Sequence, residues 1–171
     1  MSGRYLPAGI ALLVAALLQS GLAPHLAIAG VVPNFLLLVV VTIALTTGSN
    51  EGAAVGFLAG LIFDLLGTGP VGSMALVLTI AGYAAGMLHA AMFAEGWLLP
   101  LTVLAITALV SEASYGILLN VLGAEVPFWS SLVTKMLPGA VYNTALALLV
   151  YPSLARFLRH ERPMKTFRRL A

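Results

Sequence analysis

The sequence predicts an all-α fold, a polytopic membrane protein built as a compact bundle of six transmembrane helices. Three observations point there. Of the 171 residues, 61% are hydrophobic and only 8% charged, whereas a soluble domain carries about 25% charged residues. The apolar residues fall into six runs separated by short turns that contain glycine, proline, serine or asparagine. Six of the eight lysines and arginines, from Arg156 to Arg169, stand in the last 16 positions, as a juxtamembrane basic segment does. The chain therefore divides into a six-helix transmembrane domain, residues 1–155, and a basic cytoplasmic tail, residues 156–171. A basic cluster confined to that tail is not a nucleic-acid surface. The lack of cysteine excludes disulfides and thiolate metal sites.

The first segment, Tyr5 to Leu22, follows the lone Arg4. It has the outline of a signal peptide, with Ala27-Ile28-Ala29 as a cleavage motif, but the chain after it is itself almost entirely apolar, and the segment is expected to be retained. The second segment, Leu26 to Thr47, carries Pro33-Asn34 ahead of an apolar run from Phe35 to Leu45. That run is shorter than the ~20 residues a crossing helix needs, so the segment is expected to begin as loop or interfacial structure. Ser49 or Asn50 is the expected N-cap of the third segment, Asn50 to Leu66. The fourth spans Ser73 to Phe93, and the fifth spans Leu98 to Leu122 with Pro100 in its first turn. The sixth runs from Phe128 to Tyr151-Pro152, with a kink at Pro138. Trp97 and Trp129 open the last two segments, at the level of an aromatic belt. Six crossings place both termini on one side, and Arg4 with the basic tail makes that side the cytoplasm.

The chain is organised around Gly52 to Gly72. Gly52, Gly56 and Gly60 are four residues apart, and the next step of four lands on Asp64, so glycines and carboxylate share one helix face. Gly67 is suited to ending the helix, and Gly69-Pro70 with Gly72 turns the chain into the next run. The fourth segment has its own small-residue pair, Gly82 and Gly86. Small residues let helix backbones approach closely in a membrane.

Three ionisable residues lie inside the expected spans, Asp64, Glu112 and Lys135, and each is costly there unless paired or turned to the interior. Glu112 shares a stripe with Ala108, Gly116 and Asn120, and Lys135 one with Gly139, Asn143 and Ala147. With Asn34, these groups converge on the extracytoplasmic half of the bundle. The resulting expectation is an intramembrane polar network of Asn34, Asp64, Glu112, Lys135 and Asn143, with Lys135 paired to Asp64 or Glu112. A carboxylate at a helix C-terminus is disfavoured by the helix dipole, which argues for a nearby cation. Separate snorkelling charges and a proton or ligand site are the alternatives.

Other strings carry no chemistry. Gly67 to Gly72 spells G-x-G-x-x-G, but it joins two membrane spans and lacks the strand a dinucleotide site requires. His25, His89 and His160 have no ligand spacing. No catalytic, cofactor-binding or metal residue is assigned, and an enzyme is not expected.

Pro33-Asn34 before an apolar run, the stretch GFLAGLIFDLLGTGPVG at Gly56 to Gly72, Phe128-Trp129-Ser130-Ser131 at the last span and the basic end resemble the MreD family of bacterial rod-shape systems. The resemblance extends over essentially the whole chain. It departs in the loops after the second and fourth spans, which lack the basic residues often seen there. The resemblance implies a non-enzymatic scaffold of the elongation machinery (the elongasome) in the bacterial inner membrane. It implies association with MreC, a single-span protein with an extracytoplasmic domain, and through it with MreB, the RodA glycosyltransferase and a class B penicillin-binding protein that build peptidoglycan. Membrane lipids are the remaining expected partners. The family's fold is also similar to the S-components of energy-coupling-factor transporters, so a vitamin-binding subunit is the rival reading. Against it, the outer loops carry few polar groups, essentially Glu125, Trp129 and nearby serines.

Overall fold

The computed structural model describes residues 6–89, 98–123 and 127–160. Arg4, Trp97, Glu125, the end of the expected fourth span and the tail beyond His160 lie outside the described residues. The elements are α1 (Leu6–Gly21), a short 3-10 turn (Ala23–Leu26), α2 (Phe35–Thr47), α3 (Ser49–Leu66), α4 (Ser73–Met87), α5 (Leu98–Val121), α6 (Phe128–Ser131), a π-helical segment (Leu132–Met136) and α7 (Leu137–His160). The last three form one continuous rod. The fold is an all-α bundle. Among the described residues, three stretches are long and apolar enough to cross a membrane by themselves: Ser49–Leu66, Leu98–Val121 and Phe128–Leu158. α1, α2 and α4 are shorter apolar helices.

The bundle is built round α2. Its residues from Phe35 to Thr46 are all buried, and α1, α3, α4, α5 and α7 all pack on it. A helix that is apolar on every side is one surrounded by protein. Its 13 residues measure ~20 Å at ~1.5 Å per residue, short of the ~30 Å hydrocarbon layer. The approach to it is irregular, as its length requires: the 3-10 turn and an isolated bridge between Ile28 and Val31 precede it. The two buried hydroxyls inside it are satisfied by its own backbone. Thr42 Oγ1 donates to the Leu38 carbonyl at 2.7 Å, and Thr46 Oγ1 to the Thr42 carbonyl at 2.9 Å.

α3 and α4 make the most intimate contact in the molecule, an antiparallel hairpin packed backbone on backbone. A Cβ on Gly52 would collide with the Gly82 carbonyl, one on Gly56 with the Leu78 carbonyl, and one on Gly60 with the Ala75 backbone. The relation is reciprocal: Gly82 lies against Gly52, and Gly86 against the Ser49 and Gly48 backbones. Five glycines of the expected packing set therefore have a common cause. Gly116 and Gly139 differ. A Cβ on Gly116 would meet only the flexible end of Met136, and one on Gly139 would sit 3.5 Å from Val31 Cγ1, an ordinary contact.

Two boundaries depart from expectation. Gly48, with φ of 109°, is the N-cap of α3, in place of Ser49 or Asn50. Pro152 lies inside α7, which continues to His160. Pro138 is preceded by a π turn, with Leu137 N–H donating to the Leu132 carbonyl five residues back. Proline has no N–H for the carbonyl four residues before it, and its ring crowds that carbonyl. A wider turn ahead of it relieves both.

Because the Gly56 contact is with backbone, which cannot give way, Gly56→Leu is expected to destabilise the fold by about 3 kcal/mol or more. Thermal unfolding in detergent would show this as a midpoint lowered by roughly 6–12 °C or as loss of monodisperse protein. Gly9→Leu, whose Cβ meets nothing within 4 Å, is expected to leave the midpoint unchanged.

Candidate functional site

Asp64 stands in the last turn of α3 and is 3% exposed. Its carboxylate accepts the Gly72 N–H at 2.8 Å, the Met74 N–H at 3.0 Å and the Ala75 N–H at 3.1 Å. These are the orphan donors at the start of α4, which no intrahelical carbonyl can serve. The remaining donors of that turn are also accounted for: Ser73 N–H reaches the Pro70 carbonyl, and Leu76 N–H reaches that of Gly72. Gly72 occupies the N-cap position with φ of 101° and has no side chain to cap with. Asp64 supplies the cap from the neighbouring helix. The charge compensating its carboxylate is therefore the positive end of the α4 dipole, where a lysine had been expected.

The start of α2 is satisfied in the same manner. Asn34 caps it, its Oδ1 accepting the Leu37 N–H at 2.9 Å. The Asn34 N–H donates to Asn143 Oδ1 on α7 at 2.8 Å, and the Phe35 N–H to Gln19 Oε1 on α1 at 2.9 Å. Gln19 Nε2 in turn donates to the Pro33 carbonyl at 3.2 Å. Tyr142, next to Asn143, donates its hydroxyl to the Leu26 carbonyl at 2.8 Å. Two of the expected residues, Asn34 and Asn143, are thus joined directly. Gln19 and Tyr142 were not anticipated. Gln19 was visible, with Ser20, as a polar residue in the last turn of an otherwise apolar helix, but nothing in its spacing named its partner.

Tyr115 of α5 stands against the end of α3 and the turn that follows it. The Tyr115 phenol lies within electrostatic reach of the Asp64 and Glu112 carboxylates. Its ring meets Phe63 edge-on, with centroids 6.5 Å apart, and a Cβ on Gly69 would meet its hydroxyl at 2.6 Å. The turn residues therefore have separate duties. Gly67 caps α3 in extended conformation, Gly69 makes room for Tyr115, and Gly72 takes the left-handed backbone.

Lys135 does not join this group. It is exposed, and no ion pair links it to Asp64 or Glu112 among the described residues. The stripe through Gly139, Asn143 and Ala147 is buried as expected, but it reaches Lys135 only if the helix is α throughout. The π turn intervenes. Buried Ser131 and buried Met136 are five residues apart, so Met136 occupies the inward position against Gly116. Lys135 is turned outward.

The site is therefore a set of side chains that close helix ends inside an apolar bundle, at the starts of α2 and α4. A sequence model of the family described as rod shape-determining protein MreD matches residues 3–161. The chain belongs to the MreD family. No curated protein and no solved structure matched it. Membership makes it a rod shape-determining membrane protein, in keeping with its apolar helices of spanning length.

In this MreD chain, Asp64→Ala removes the acceptor for three backbone donors. The expected cost is at least about 2 kcal/mol, a fall of roughly 4–8 °C in the unfolding midpoint. Asp64→Asn, which keeps one carbonyl oxygen, is expected to fall between Ala and wild type. An unchanged midpoint for Asp64→Ala would contradict the capping role.

Proposed function

We propose that this protein is a non-enzymatic integral scaffold of the rod, or elongation, complex in the bacterial cytoplasmic membrane, with both termini in the cytoplasm. It binds an MreC-like single-span protein by lateral docking of transmembrane helices. Through that partner it helps to organise a RodA-type glycosyltransferase, a class B penicillin-binding protein and MreB during peptidoglycan synthesis. The observation that carries this reading is what the buried polar side chains do. Asp64, Asn143 and Gln19 each hold a backbone amide of another segment, and Asn34 caps its own helix beside them. Groups so placed fix helices relative to one another, which is what a docking platform needs. Family membership supports the same reading.

The outer faces suit such docking. Leu6, Ile10, Leu13, Val14 and Leu17 of α1 and Ile106, Val110 and Ile117 of α5 are exposed. Between α1, α2 and α7 lies an apolar groove of about 280 Å³, lined by Ile10, Val14, Phe35, Val39, Leu154 and Phe157 among others. That lining is not the chemistry of a site for a polar vitamin.

A mild-detergent pull-down of the tagged protein from its native membrane, read by mass spectrometry, tests the proposal. A single-span MreC-like protein and cell-wall synthases are expected to be recovered, and Gly56→Leu is expected to lose them. Recovery of paired ATPases with a coupling membrane subunit would contradict the scaffold reading and support an S-component-like role.

A further inference from the structure

We propose that a single buried water molecule is bound where α2, α5 and α7 meet, held by the Leu36 N–H, the Asn143 side-chain amide and the Ser111 hydroxyl. Each of these helices packs on the other two, and each brings one unmatched polar group. Asn143, on α7, is fully buried, and its Nδ2 makes no hydrogen bond among the described residues. Ser111, on α5, is 3% exposed, and its Oγ is likewise unpaired. At the start of α2 the orphan donors are those of Asn34, Phe35, Leu36 and Leu37. Three are met, by Asn143, Gln19 and Asn34 in that order around Leu36. The Leu36 N–H, in a residue with no exposed surface, has no partner among the described residues.

Neither side chain has a local escape. The Asn143 amide cannot be turned over, because its Oδ1 accepts the Asn34 N–H at 2.8 Å, and the reverse would set donor against donor. A hydroxyl within a helix commonly donates to the carbonyl four residues back. Thr42, Thr79, Thr102 and Thr144 all do so. Ser111 does not. A buried polar group without a partner is costly, and here three such groups share one depth. Asn143 is bonded at the same first turn that holds Leu36. α5 and the last rod run in opposite directions, with Gly116 against Met136. From that contact Ser111 lies ~7.5 Å along α5 and Asn143 ~10.5 Å along the rod, at ~1.5 Å per residue. The difference of ~3 Å is within the reach of a water, which joins polar atoms about 5–6 Å apart.

Water is the occupant these groups fit. All three are neutral, and one water accepts from the Leu36 and Asn143 donors while donating to Ser111 Oγ. Buried waters make about three such bonds, to groups that are otherwise unsatisfied. Ser111 is the buried polar side chain of α5. The water therefore ties α5 to the central helix, as Asn143 ties α7. This inference does not depend on the scaffold reading.

An experimental structure of the full chain in lipid, with ordered waters resolved, tests this directly. Rounded density is expected within about 3.2 Å of Ser111 Oγ, Asn143 Nδ2 and the Leu36 nitrogen. An empty junction, elongated density from a larger ligand, or a direct bond between Ser111 and Asn143 would overturn the proposal. Thermal unfolding of Ser111→Ala gives an independent reading, and its sign decides. Removing an unpaired hydroxyl in favour of a better helix former raises the midpoint or leaves it unchanged. Removing one that holds a water is expected to lower the midpoint by roughly 2–4 °C, the effect of one lost hydrogen bond in a chain of this size. Ser114→Ala, at a partly exposed position of the same helix, is not expected to lower it. A midpoint that rises or stays constant in Ser111→Ala would overturn the proposal.

Discussion

The structure depends on the closure of helix ends within the bilayer, and above all on the carboxylate of Asp64 at the start of α4. In hydrocarbon no water serves an unpaired amide, so each must find a partner inside the protein. A helix long enough to reach both interfaces hides this problem by placing its ends in water. α2 and α4, with 13 and 15 residues, do not reach that far. Side chains meet most of their first-turn donors, from other helices in the case of Asp64, Asn143 and Gln19 and from the N-cap position in the case of Asn34. Asp64 does this for α4, while Asn34, Asn143 and Gln19 do it for α2.

The same bonds are tertiary contacts. A cap donated by a residue's own helix stabilises that helix alone, whereas one donated from another helix fixes the relative position of both. Asp64 locks the turn end of a hairpin whose two helices are already held together by glycines in backbone contact. Asn143 and Gln19 tie α7 and α1 to the central helix. For a rod shape-determining membrane protein, the consequence is a rigid core whose outer faces keep a constant geometry. Rigidity reduces the entropic cost of ordering a surface on binding. A platform for partner helices benefits from that property.

Much of this could be read from the residues. The four-residue steps of Gly52, Gly56, Gly60 and Asp64 identified the closest helix pair and the residue at its end, because helical periodicity alone relates them. The shortness of the apolar run after Pro33-Asn34 announced an irregular entry to α2. Partnership was harder. A buried carboxylate suggests a cation when only side chains are considered, and the partner proved to be a row of backbone amides, which every sequence contains equally. Lys135 illustrates the second limit. Its stripe with Gly139 and Asn143 assumes 3.6 residues per turn, and Pro138 disturbs that period just ahead of itself. The sequence announced a disturbance at Pro138 but not that it would rotate the lysine out of the interior. That α2, and not α3, lies at the centre follows from packing order, which local patterns do not contain.

The most direct test of this account is amide hydrogen exchange at the first turn of α4 in the wild-type and Asp64→Ala proteins, in the same detergent or nanodisc. The account predicts that Gly72, Met74 and Ala75 are protected in the wild type and lose protection in the variant, while the amides within α2 keep theirs. If those three amides exchange at the same rate in both proteins, the carboxylate is not what closes the helix, and the structural role assigned to Asp64 is wrong.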